Sequence, residues 1–436
     1  MLLALGAFIH YALKTLTGTE MTRPRSLLYA VLLGALLAGN GGRVGESIVP
    51  LAQSASPSRG DDADDGDSAL GARMVDEADV FSTPVTMRID NIPIPVKGSD
   101  GRYHLVCELE VANFTADNIP VTKVEVLDTR AGGILATFDA AAIANRLVVR
   151  DFAAVPGTMG ASQVGILYLH VILDSRRDVP RVIDHRIATV DKGETIVATA
   201  ARSRIARPTD LLFDAPLRGS RYIAGDGCCD STRHIRATLP LNGQAFTAQR
   251  FAIDWEQLDE QGRIYVGDPK DPESYIIYGK PAYAVADAKV VEVVDGMPNS
   301  PIGSLPNLPV DKADGNHVIL ALGDGSYALY AHFKPYSVRV YEGQYVRRGQ
   351  VLGLVGTSGN SSEPHLHFHV TDGPTLRSNG VPYLLKRFSA TQRGASTAAF
   401  DQAIVDGKPI PTVPVSGPAR REQVLPLDLW IVDFQE

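Results

Sequence analysis

Gly356-Thr-Ser-Gly-Asn-Ser-Ser-Glu-Pro-His-Leu-His-Phe-His-Val370 decides how the second half of this chain folds. A glycine-rich turn ends at Pro364, and histidines then fall at 365, 367 and 369. Side chains alternate faces along an extended strand, so the three imidazoles share one face and Leu366, Phe368 and Val370 take the other. The pattern predicts a half-buried strand whose polar face carries three of the chain's ten histidines. Neutral imidazole suits zinc and titrates near neutral pH, which makes this face a candidate metal or proton-transfer site. The competing reading is a solvated polar stripe.

Strand signals extend in both directions. Asn242-Gly243 marks a two-residue hairpin. After it, Arg250, Ala252 and Asp254 fall on one strand face and Phe251, Ile253 and Trp255 on the other. Pro281-Ala-Tyr-Ala-Val, Gly315-Asn-His-Val-Ile, Gly325-Ser-Tyr-Ala-Leu-Tyr-Ala-His-Phe and Val340-Tyr-Glu-Gly-Gln-Tyr-Val continue the series. Upstream, Leu105, Cys107, Leu109 and Val111 alternate with the outward pair Glu108 and Glu110. More short strands with polar breaks follow, and Ala140-Ala-Ala-Ile-Ala-Asn145 is the one helical piece. The expected fold is all-β: an N-terminal Ig-like β-sandwich over 81–204, then a second β domain over 205–436 with its core at 245–372. Leu425, Leu427, Leu429 and Ile431 alternate with polar and aromatic residues, so a last strand returns to the second domain. The Gly, Ser, Ala and Pro content of 391–421 reads as a long excursion or lid.

At 436 residues and 44% hydrophobic content the chain is long enough for two or three domains. A net charge of −8 gives no electrostatic footprint for nucleic acid. Cys107, Cys228 and Cys229 form no disulfide framework and no CxxC pair, and they receive no role. His104, His170 and His185 read as isolated hydrogen-bonded residues. Arg23 and Arg25 precede a 12-residue apolar run, Leu27 to Ala38, which small residues follow. That is a secretory signal over 1–40, with Met21 an alternative start and an uncleaved signal anchor the only expected membrane contact. The protein is therefore expected to be exported to the periplasm, cell envelope or medium. Residues 41–80 read as an acidic solvated linker. Ala63 stands where a calcium loop would need an oxygen ligand.

Five motifs then occur in one order: Asn316-His-Val-Ile, Tyr330-Ala-His-Phe, Glu342-Gly-Gln-Tyr-Val-Arg-Arg-Gly-Gln, Gly356-Thr-Ser-Gly-Asn and Pro364-His-Leu-His-Phe. Together they resemble the lysostaphin/LytM-type zinc endopeptidases, over roughly 245–372. The resemblance implies a β-barrel-sandwich of duplicated hybrid motif type, a zinc cofactor, and peptidoglycan or another peptide as substrate. It implies Asp254 and His367 as metal ligands and His332 and His365 as catalytic histidines, with Arg250 and Asn316 lining the site. Four residues before Asp254 the family carries its first metal histidine, and here Arg250 stands in that place. A guanidinium about 4 Å from a dication would oppose binding by several kcal/mol, on the order of 4 per unit charge at an effective dielectric of about 20.

Arg250 and Asp254 share a predicted face, so an ion pair between them could replace the metal. Two candidates remain for the third ligand. His369 lies roughly 6.5–7 Å along the strand from His367 and needs a bend to reach. Extending the hairpin register sets His234 opposite Phe251, pointing away from Asp254 unless a bulge reverses it. His317 reads as structural. Three functions follow: a secreted zinc metallopeptidase acting on cell-wall peptides; a catalytically inactive relative that binds cell wall or regulates another hydrolase; and a lipoyl-carrier or sugar-phosphotransferase type of hairpin protein, the phosphotransferase disfavoured by the secretory signal. Arg347-Arg348 offers no lysine for the carrier.

Overall fold

The computed structural model describes residues 80–149, 155–306 and 308–434. The expected signal, and all but the last residue of the expected linker, lie outside them. Thr83–Glu436 form one compact unit made mostly of β-strands.

Two five-stranded sheets build its first part. In one, Tyr103–Asn113 pairs antiparallel with both Val85–Ile89 and Val164–Leu173. In the other, Val182–Asp191 lies between Glu194–Arg204 and Ile119–Asp128. Leu105, Leu109, Val124, Val126, Leu167 and Ile187 fill the space between, all fully buried. Burying each such side chain contributes about 1.5–3 kcal/mol. The helical piece runs over Ala140–Ala144, started by Asp139, whose carboxylate accepts from the Ala142 amide at 2.8 Å.

The second part is one twelve-stranded sheet, with a short hairpin and a two-stranded ribbon beside it. At its centre Ile253–Gln257, Leu366–Thr371 and Tyr327–Ala331 lie side by side, antiparallel. Asp254 faces His367, and His367 faces Ala331 across the next gap. A last strand does return to this part, but it starts at Trp430 rather than Leu425, and Trp430–Phe434 inserts between Gly219–Gly225 and Leu384–Gly394.

Residues 391–421 are not a lid. They finish the strand Leu384–Gly394, form the helix Thr397–Asp406, and return as Thr412–Pro414 and the start of Arg420–Val424. Phe400 and Ala403 of that helix are buried against Ile223, Leu258 and Tyr275. Its small residues are helix formers with an apolar side, not loop spacers.

The two parts meet through the face that the alternation in Tyr103–Asn113 marks as outward. Val96 and Val106 join the hydrophobic core of the second part. Glu108 is buried with them, at 5% exposure.

Candidate active site

The antiparallel pairing places Asp254 and His367 on adjacent strands. His365 immediately precedes Leu366–Thr371, and His332 immediately follows Tyr327–Ala331. Both therefore lie at the same end of the sheet, and their rings meet edge to face at 4.7 Å. The His332 backbone takes a left-handed conformation, φ 66°, that only a well-supported corner holds. Its amide donates to Asp314 O at 3.1 Å and its carbonyl accepts from the Gly356 amide at 3.0 Å.

Three of the imidazoles are fixed by a backbone carbonyl. His332 Nδ1 donates to Ser358 O at 2.7 Å, and His365 Nδ1 to Glu363 O at 2.8 Å. His234 Nδ1 donates to Asp226 O at 3.1 Å. A proton held on Nδ1 leaves Nε2 as a free lone pair, available to a metal or a proton. His367 Nδ1 lies 2.8 Å from Asp254 Oδ1, and its Nε2 lies 2.8 Å from His369 Nδ1.

Asp254 is the hub. Its Oδ2 lies 3.3 Å from His234 Nε2, and its Oδ1 lies 3.4 Å from His365 Nε2. Burial pushes the Asp254 carboxyl up, but His234 and His365 outweigh it and hold the group well below the usual carboxylate range. Burial alone would lower His234, yet Asp254 raises it to about 9. Burial, then the His365 and His367 rings, keep His332 neutral far below the ordinary imidazole value. His369 is depressed in the same way, by burial and by His367.

His234, Asp254 and His367 bring one ligand atom each to within 4.8 Å of one another, as do His332, His365 and His367. The donor set fits zinc: two imidazole nitrogens and a carboxylate, in a buried pocket whose imidazoles have oriented partners.

Four expectations change here. His234 does not continue the 242–243 hairpin, because pairing stops at Leu239–Leu241 and Gln244–Phe246. It lies in a 3₁₀ turn, His234–Arg236, that turns its ring onto Asp254. Arg250 is not on the strand with Asp254, which starts at Ile253. It sits in the preceding turn and points to Glu108 of the first part, Nη2 to Oε2 at 2.5 Å, with both side chains buried. Arg250 therefore does not pair with Asp254.

His369 stays behind His367 as its hydrogen-bond partner and joins neither ligand group. Asn316 does not line the site. It is fully buried, donating to Met297 O and Phe333 O at 2.8 and 3.0 Å, and it braces the corner beneath His332. His317 is structural, as read from the sequence, held by Gly315 O and Glu292. No periodic signal marks His234, which stands in a turn between strands. Only its imidazole identified it as a candidate.

The profile of peptidase family M23 matches residues 275–380, which include His332, His365 and His367. The chain carries a peptidase family M23 domain. Lysostaphin of Staphylococcus simulans is 35% identical over 91 residues, 21% of this chain and 15% of that protein. Cell division protein DipM of Caulobacter vibrioides is 37% identical over 68 residues, 16% of this chain and 11% of its own. The DD-carboxypeptidase/endopeptidase Mpg of Neisseria meningitidis serogroup B is 41% identical over 68 residues, 16% of this chain and 14% of its own. The chain thus spans less than a sixth of each of these relatives. The M23 match begins after Asp254 and His234, so the part of the site that departs from the family pattern lies outside it.

Proposed function

We propose that this chain is an exported zinc metalloendopeptidase that hydrolyses peptide bonds of cell-wall peptidoglycan, its first part an Ig-like sandwich and its second a barrel-sandwich. One observation carries the reading: His234 turns onto Asp254 beside His367 and supplies the third ligand that position 250 lacks. His234 Nε2, the Asp254 carboxylate and His367 Nδ1 would hold the metal. Bound there, zinc supplies a Lewis acid and lowers the pKa of a water towards about 7.

The chain's own residues do the rest. His365 presents Nε2 towards Asp254, His332 groups with His365 and His367, and Ser358 O and Glu363 O keep their protons on Nδ1. One Nε2 takes the proton of the attacking water and later delivers it to the departing amine. The other, once its Nε2 has taken up a proton from solvent, donates to the oxygen that gains charge on the scissile amide. Glu363 O and Ser358 O stop the rings from rotating during these transfers.

The test is release of new amino termini from purified peptidoglycan. Chelation should stop it and added zinc restore it, and Asp254→Ala and His367→Ala should be inactive while folded. A metal-loaded wild type that releases nothing from peptidoglycan or its cross-bridge peptides would overturn the hydrolase reading.

A further inference from the structure

A second histidine group lies between the two parts of the molecule, outside the site above. His104 and His170 sit on adjacent strands, with rings stacked at 5.1 Å, and His104 Nδ1 is 2.9 Å from His170 Nε2. Their outer nitrogens each meet a carboxylate: His104 Nε2 to Asp100 Oδ1 at 3.0 Å, and His170 Nδ1 to Asp230 Oδ2 at 2.9 Å. Arg146 completes the chain on Asp230 at 2.6 Å. His104 is 3% exposed and Cys229 7%. Cys229 approaches from the second part, and one ligand atom from each of His104, His170 and Cys229 lies within 4.8 Å of the others.

Carboxylates on the outer nitrogens, with the inner nitrogens converging near a sulfur, form the arrangement that orients metal-binding imidazoles and raises their basicity. Two imidazoles and a thiolate suit zinc and cobalt(II), not magnesium or calcium. Cys228 and Cys229 are joined in a disulfide, and a disulfide sulfur is not a thiolate.

We propose that His104, His170 and Cys229 form a second, thiophilic divalent-metal site, closed by the Cys228–Cys229 disulfide and opened when a dithiol reduces it. In the opening step the dithiol gives two electrons and two protons to the pair. The Cys228–Cys229 bond breaks, two thiols form, and the reductant closes its own disulfide. On binding, the Cys229 thiol releases its proton to solvent and its thiolate takes the metal. Nothing in this site depends on hydrolytic activity, and the candidate active site contains no sulfur.

Cobalt(II) titration of the full chain separates the two sites, because a thiolate-to-cobalt charge-transfer band can come only from this one. Untreated protein should show no such band, and dithiol-reduced, desalted protein should gain it with one further equivalent of bound cobalt. Cys228→Ser leaves the Cys229 thiol free and should show the band without reductant. Cys229→Ser and His170→Ala should lose it, and His367→Ala should keep it. Thiol counting and circular dichroism establish that each variant is reduced and folded. A folded Cys228→Ser protein with its thiol titratable and no band at saturating cobalt would overturn the proposal. A band that survives Cys229→Ser would overturn it too.

Discussion

The turn that carries Arg250 and the turn that carries His234 use a buried polar side chain in opposite directions. Arg250 leaves the sheet centre and pairs with Glu108 across the junction of the two parts. His234 comes in from a turn and meets Asp254. The position where the family pattern puts a ligand therefore serves docking, and on the proposed reading a residue outside any strand takes the ligand's place. A buried pair of this kind gives little net stability while intact, but losing one partner leaves a charge stranded in the interior. The His234 turn is in turn held by the first part. Arg146 and His170 grip Asp230, Arg236 Nη1 donates to Asn145 O at 2.5 Å, and Tyr168 Oη donates to Arg236 O at 3.1 Å. The first part is thus a frame for the site as well as a neighbour of it.

Replacing His234 breaks the comparison most sharply. His234→Ala should lose retained metal and at least about a hundredfold in hydrolysis, as removal of a ligand exceeds the 10–100-fold cost of losing an outer partner. Metal analysis after dialysis and amino-terminus release measure both.

Arg250→Ala should behave the other way, costing about 3–5 kcal/mol of stability by stranding Glu108 while the folded fraction keeps its metal. Urea unfolding reads the cost. Replacing both partners, Arg250→Met with Glu108→Leu, should recover most of it, because no unpaired charge then remains.

Acid tests a buried histidine of the first part. His185 is fully buried, with Nδ1 bonded to Ala201 O at 3.1 Å and no partner on Nε2. Burial lowers its pKa to about 4. Unfolded, it titrates near about 6.5, so as pH falls from there the unfolded chain takes a proton that the folded chain refuses. Stability should drop by about 3 kcal/mol between about pH 6.5 and about pH 4 and then level off. The drop across that range should be smaller by about that amount in His185→Phe, with the rest left to the other buried histidines, His332 and His369.

The smallest effect belongs to the residue behind His367. His369→Phe should weaken zinc affinity about 10–100-fold without removing the site, measured against a competing chelator.

Periodicity in the sequence is enough to predict the strand Leu366–Thr371 and a returning C-terminal strand, while the family resemblance brings Asp254 and His367 together. Each strand is a local pattern, although Leu366–Thr371 proves buried on both faces rather than half-buried, with His365, His367 and His369 all enclosed. Other features depend on contacts between distant segments. Glu108 reads as solvent-facing because alternation tells the two faces apart without saying that another module covers the second. Arg250 reads as a strand residue because alternation does not mark where the strand begins. His104 and His170 read as isolated because 66 residues separate two neighbours on adjacent strands. His234 lies in a turn, where direction is set by packing and no period exists to extend.

Anomalous diffraction at the zinc edge from crystals of the full chain tests the central claim most directly. The account predicts one peak bound by His234 Nε2, an Asp254 oxygen and His367 Nδ1 at about 2.0–2.2 Å, with a further position open to water. A peak lacking His234, or Arg250 turned onto Asp254 with no metal present, would contradict it.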